Sequence, residues 1–127
     1  MLDEIINEAE IKDWDIIEID NFLYKVCKSI CKIVLSKKLG SGFLIKLYRK
    51  NKPFYCLMTN EHVIDKETIE SSKKIEIFYD NEFKRIEIDL NKNERFIRDY
   101  KYMNIDLTVI EIIDKDNIHE DYFFYQI

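Results

Sequence analysis

"SGFLIKLYRKNKPFYCLMT", Ser41 to Thr59, decides how this chain folds. Its first half alternates, with Phe43, Ile45 and Leu47 set against Ser, Lys and Tyr positions. A repeat of two sends successive side chains to opposite faces, which is the pattern of a β-strand half-buried in a sheet. "KNKP", Lys50 to Pro53, then interrupts with turn-forming residues, and "FYCLMT", Phe54 to Thr59, is apolar throughout, as in a strand covered on both faces.

The same period extends in both directions. "CKIVLSK" (Cys31 to Lys37) is a candidate first strand, "KKIEIFYD" and "KRIEIDL" form a hairpin about the "DNEF" turn, and "IDLTVIEII" (Ile105 to Ile113) is a last strand. "KETIESS" reads as a helical turn or loop, and "NKNERFIRDYKYMN" (Asn91 to Asn104) as a charged loop. Six short strands with tight connections predict an all-β fold, a small closed barrel in which closure removes the open edges. Ahead of it, Leu2, Ile5, Ile6 and Ala9 recur at helical intervals, as do Phe22, Val26 and Ile30 behind a possible N-cap at Asn21. Residues 1–30 are therefore expected to be a short helical extension, and residues 31–127 the barrel.

At 127 residues the chain suits one domain with one modest core. The formal charge of −5 is spread without a basic block, which argues against nucleic acid as a partner. The start, "MLDEIINEAEIKDWD", is acidic where a secretory signal is basic and then apolar, and no run is long enough to span a bilayer, so a cytoplasmic location and no membrane partner are expected. Three cysteines, Cys27, Cys31 and Cys56, are expected to be reduced thiols acting as small hydrophobes. With His62 they could in principle form a zinc site, but no compact Cys-x-x-Cys knuckle is present, and no metal or other cofactor is expected. Phe43, Tyr55, Phe78, Tyr79 and Phe83 are read as core and cross-strand packing, and His119 as a solvated loop residue. Only two glycines and one proline occur, so Asn, Asp and Lys must supply most turns.

Two polar residues stand at the ends of apolar strands. His62 follows "FYCLMTNE" and Asp106 precedes "LTVIEII". Taken alone, His62 reads equally as a base, a metal ligand or a turn residue, and Asp106 as a loop cap or a partner of Lys101 or Arg98.

The ordered trio "GSGFLI" (Gly40 to Ile45), "LMTNEHVI" (Leu57 to Ile64) and "NIDLTVIEI" (Asn104 to Ile112) resembles the first barrel of chymotrypsin-like (trypsin-like) serine peptidases, particularly the Deg-type, high-temperature-requirement branch. That resemblance implies a six-stranded Greek-key barrel and places the general base on His62 and the carboxylate that orients it on Asp106. An imidazole titrating near neutrality can take a hydroxyl proton and return it to the leaving group, while the carboxylate fixes its tautomer. The glycines of "GSGF" would let that strand pass close to its neighbours, with Ser41 a scaffold residue. Val63 stands where extracellular members carry a cysteine.

The nucleophile departs from the pattern. All five serines (Ser29, Ser36, Ser41, Ser71, Ser72) precede Asp106, and no glycine follows Gly42 to build an oxyanion hole. The resemblance thus implies one barrel of two, with the second barrel absent and the chain alone inactive as an endopeptidase. A polypeptide substrate is expected only if a second barrel completes the site, and self-association through the uncovered apolar face is a further expectation. The alternative is a non-catalytic β-barrel interaction module derived from a peptidase.

Overall fold

The structure is a computed structural model, and it describes residues 16–71 and 73–125. A helix, α1 (Ile16–Ser29), leads directly into strand β1 (Ile30–Leu35), followed by β2 (Lys38–Arg49) and β3 (Lys52–Thr59). A one-turn helix, α2 (Lys66–Glu70), separates these from β4 (Lys74–Tyr79) and β5 (Lys84–Asp89), and the described chain continues through β6 (Ile97–Asp99) and β7 (Thr108–Glu111). The chain is mostly β, and among the described residues the strands form one antiparallel sheet in the order β5-β4-β1-β2-β3-β7-β6, curled as a half-barrel; β5 and β6 do not pair, so strand pairing does not make the closure expected of a barrel.

Seven strands stand where the sequence suggested six. The additional one is β6, three residues inside the charged segment that reads as a loop; Ile97 pairs with Ile110 of β7 and is itself buried. The helical reading also needs correction, because α1 begins at Ile16 and Asn21 lies inside it, not at its N-cap. Ile16 and Ile19 extend the apolar spacing upstream of Asn21, so the helix starts before the residue best suited to cap it. The candidate helix at Leu2 to Ile11 lies outside the described residues.

The turns show how a glycine-poor chain manages. Lys50 and Asn51 both take positive φ, 51° and 64°, giving the two-residue hairpin that closes β2 on β3 in the register Arg49↔Lys52. Asp80, Asn81 and Glu82 do the same between β4 and β5, and neither glycine has a positive φ. The glycines serve close packing instead. A Cβ on Gly42 would stand 2.5 Å from the main-chain oxygen of Met58, and one on Gly40 would stand 2.4 Å from Cγ1 of Val63.

The concave face buries Ile33, Leu44, Leu57, Ile75, Ile77, Ile88 and Ile110, and Val63 and Ile64 from the β3–α2 connection and Ile69 of α2 pack into the same core. Phe83 is 85% exposed and Phe43 42% exposed, so these two are not the core residues their aromatic character suggests; Phe83 sits at the β4–β5 turn and Phe43 on the outward side of β2.

β5 and β6 end the strand order, and charge links their neighbourhoods. Arg95, fully buried, makes a two-pronged pair with buried Asp116 (Nη1 to Oδ2 2.6 Å, Nη2 to Oδ1 3.0 Å), donates to the Glu111 carbonyl at 3.0 Å, and stands 3.5 Å from Asp89 at the end of β5. Lys115 adds ion pairs to Asp89 and Glu94. After β7 the chain returns to β2, where Phe124 exchanges hydrogen bonds with Leu44 and Lys46 at the point where β1 no longer pairs.

Candidate active site

Strand register brings His62 and Asp106 together. β3 and β7 are antiparallel and their ladder ends at Thr59↔Thr108, so the residues leaving β3 meet those entering β7. His62 lies three residues past that last pair and Asp106 two residues before it.

Each side is pinned by local bonds. The turn carrying His62 is closed by the N–H groups of Val63 and Ile64 donating to the Asn60 carbonyl, at 3.0 and 3.2 Å. The side chains of Val63 and Ile64 anchor it in the core, and the hydroxyl of fully buried Thr108 donates to the Ile64 carbonyl at 2.7 Å. Asp65 then caps α2 by accepting from the Thr68 N–H at 2.8 Å and its hydroxyl at 2.7 Å, which holds the Asp65 carboxyl below the usual range. Thr59, the last residue of β3, ties that strand to β2 through its hydroxyl and the Ser41 carbonyl, 2.7 Å apart. On the facing side, a 3₁₀ turn at Lys101–Met103 and a left-handed Asn104 deliver Asp106 to the start of β7.

The Asp106 carboxylate grips His62 twice. Oδ1 accepts the His62 main-chain N–H at 3.0 Å, and Oδ2 lies 2.7 Å from ring Nδ1. Asn60 donates its side-chain amide to Oδ2 and to the Asp106 carbonyl, each at 3.3 Å. The main-chain N–H of His62 does most to hold the Asp106 carboxyl below the usual carboxylate range, followed by the His62 ring. An ionised carboxylate only accepts, so the nitrogen facing it carries the proton, and Nε2 of the neutral ring keeps its lone pair. The ring is 68% exposed, and Nε2 has no hydrogen-bond partner among the described residues. This arrangement can accept a proton at Nε2 while the carboxylate stabilises the resulting imidazolium.

Asp106 therefore pairs with His62, not with Lys101 or Arg98. Among the described residues no serine reaches the ring: Ser29 donates to the Val26 carbonyl, Ser71 donates to the Thr68 carbonyl, and Ser41 lies on a different groove beside Lys32 and Phe78. His119 is an exposed loop residue whose Nδ1 accepts from the Asp121 N–H at 3.1 Å. Cys31 and Cys56 are buried, which pushes both thiols up to about 12, while Cys27 is exposed. Among the described residues no three His, Cys, Asp or Glu side chains converge as metal ligands. Asn60 and Thr108 were not foreseen as site residues; both adjoin the two motifs, and only the pairing Thr59↔Thr108 shows what they bond.

Comparison of the chain with protein-family models, with curated proteins and with solved structures finds no match. No helix among the described residues is long and apolar enough to cross a membrane.

Proposed function

We propose that the chain is a trypsin-like first barrel, of Greek-key connectivity, carrying the base and orienting carboxylate of a serine endopeptidase. The observation that supports this reading is the double grip of Asp106 on the main chain and the ring of His62. In peptide-bond hydrolysis by acyl transfer, His62 Nε2 takes the proton of an attacking hydroxyl and returns it to the leaving amine, and Asp106 keeps the proton on Nδ1. The hydroxyl and the oxyanion hole would come from a second barrel. Loss of the nucleophile costs about 10⁶ in rate, nearly as much as loss of the whole triad, so the chain alone has no endopeptidase activity.

Two measurements test this. A fluorophosphonate probe leaves the isolated chain unlabelled; robust labelling would mean that a nucleophile is already in place. An activated ester such as p-nitrophenyl acetate, which needs only an available imidazole nitrogen, is cleaved slowly, and His62→Gln lowers that rate in a His119→Gln background. No change on His62→Gln would overturn the assignment of Nε2.

A second reading is a non-catalytic interaction module. It is favoured by the lack of any described hydroxyl or thiol at Nε2, and by the exposed Phe22, Leu23, Leu39, Phe43 and Leu47 on α1 and β2. Under this reading the exposed apolar face supports self-association or a partner, light scattering detects dimers or larger species, and His62→Gln leaves that assembly unchanged.

A further inference from the structure

Net charge is shared unevenly along the chain. Residues 1–15 hold six carboxylates, from Asp3 to Asp15, against the single Lys12, whereas residues 21–60 hold nine lysines and arginines and no aspartate or glutamate. The fold gathers these cations, because β1, β2 and β3 lie side by side in the sheet. Three of them, Arg49, Lys50 and Lys52, crowd the β2–β3 hairpin tip; all are exposed, and their side chains make no hydrogen bond or ion pair among the described residues. By contrast, Lys32 is paired with Glu82 at 3.4 Å and Lys46 with Glu120 at 3.5 Å. Like charges held together on one turn repel, and acidic groups brought to them relieve that repulsion.

Apolar surface adjoins the tip. Exposed Leu47, Tyr48 and Tyr125, with Ile45 and Phe124, line a groove of ≈ 360 Å³ along the stretch of β2 that β1 no longer covers. The direction of α1 says what arrives there. The helix joins β1 at Ile30, opposite Phe43, and two turns earlier Phe22 stands edge-on to Phe124 at 5.9 Å, beside Ile45. Going back along the helix thus means going forward along β2, toward Arg49. Fifteen residues extend up to about 50 Å, more than the whole of β2 at about 40 Å, so the tip is within reach of the segment that precedes Ile16. In that segment Leu2, Ile5, Ile6, Ile11 and Trp14 are interspersed with the carboxylates, which matches the tip in charge and the groove in polarity.

We propose that the β2–β3 hairpin tip and the groove beside it are a docking surface for the chain's own acidic segment, residues 1–15, whose carboxylates meet Arg49, Lys50 and Lys52 while its apolar residues cover Leu47, Tyr48 and Tyr125. Exposed ion pairs are individually weak, so a free acidic peptide gains little there. The tether changes that, because a short linker holds the segment at an effective concentration of about millimolar. The proposal is independent of the peptidase reading, since the tip opens β3 and His62 follows its far end.

Trp14 is the one tryptophan of the chain, so its fluorescence reports docking without a label. In the full chain its emission should lie to the blue of that of a synthetic peptide of residues 1–15, and acrylamide should quench it less. Arg49→Gln/Lys50→Gln/Lys52→Gln should abolish both differences while the far-UV circular dichroism stays unchanged. Lys37→Gln/Lys38→Gln, which removes two exposed cations at the other end of β2, should leave both in place. A salt series on the unaltered chain needs no variant to fold: about 1 M salt shortens the screening length to about 3 Å and should move the emission to the red. Emission and quenching equal to those of the free peptide, differences that survive the triple substitution, or emission unmoved by salt would each overturn the proposal. So would a blue shift that fades on dilution, which would assign the segment to a second copy of the chain.

Discussion

Val63 lies directly over Gly40, so close that a Cβ on the glycine would come within 2.4 Å of one of its methyl groups and 2.7 Å of the other. Valine is stiff about its first side-chain torsion and cannot fold those methyls away. Gly40→Ala should therefore push on the residue next to His62, destabilising the chain by about 1–3 kcal/mol as overpacked cores do. Val63→Ala in the same chain should recover part of the loss, and urea unfolding of the two single variants and the double variant measures the coupling. Simple additivity would mean that the two residues do not press on each other.

The tautomer of His62 follows from Asp106 being an acceptor only. Two-bond proton–nitrogen NMR of the ring should show the proton on Nδ1 in the native chain and a shift toward the Nε2–H form in Asp106→Asn, since the amide can donate to the ring nitrogen it faces. In any assembly where a second barrel supplies the serine, the same substitution should lower kcat by about 10⁴. An unchanged tautomer in Asp106→Asn would show that the carboxylate does not set the ring.

Asp116→Asn removes the anion from a pair in which the Arg95 side chain is wholly buried and Asp116 is 3% exposed. Breaking one partner of such a pair leaves an uncompensated charge and costs about 3–5 kcal/mol. The double variant Arg95→Met/Asp116→Leu should recover only part of that, because it removes the buried pair but leaves Asp89 without its arginine and the Ile113 N–H without its acceptor. Denaturant midpoints of the three proteins decide it, and a double variant weaker than either single would show that the charges hold the β5 and β6 ends together.

Acid should weaken the fold through four carboxyl groups. Asp65, Asp89, Asp106 and Glu120 are all held below their ordinary values, the first by the Thr68 main-chain N–H, the second by Lys115, the third by the His62 main-chain N–H and the last by the Tyr55 hydroxyl. A depressed carboxyl stabilises the folded chain above its unfolded value of about 4 and loses that contribution as pH falls through the folded value. Stability measured by urea unfolding should be level near neutrality and decline below about pH 4. Asp106→Asn should shrink the decline, and an identical acid profile for that variant would count against the grip on His62.

Thiol reactivity should divide by burial. Burial pushes Cys31 and Cys56 up to about 12, so little thiolate forms on either at pH 8, whereas Cys27 is exposed on α1. An aromatic disulfide reagent should therefore titrate one thiol per native chain and all three in denaturant. Rapid reaction of more than one native thiol would show that the interior strands open.

The strands that position the site were legible as strands from their apolar and β-branched runs, but the alternation in β2 misassigned its face, since Phe43 and Leu47 are exposed and Leu44 is the buried residue; His62 and Asp106 stood out because each sits where an apolar strand stops. Asn21 misled because a good capping residue can also lie within a helix whose apolar spacing begins earlier. β6 was hidden by its length: three residues cannot display a period, and Ile97 is flanked by Phe96 and Arg98 in a segment dominated by charge. The Arg95–Asp116 pair had no local signal at all, since two charged residues among many reveal their burial only when the sheet ends approach.

Eight residues other than glycine carry a left-handed backbone among those described: Ser36, Lys50, Asn51, Asp80, Asn81, Glu82, Asn104 and Asn117. Asparagine and aspartate bear that geometry easily, but lysine and glutamate gain nothing from it. Lys50 and Glu82, both at exposed hairpin tips, are thus places where the chain has stopped short of the sturdiest solution, and a designer who wants a hardier scaffold has room to work there without touching His62 or Asp106.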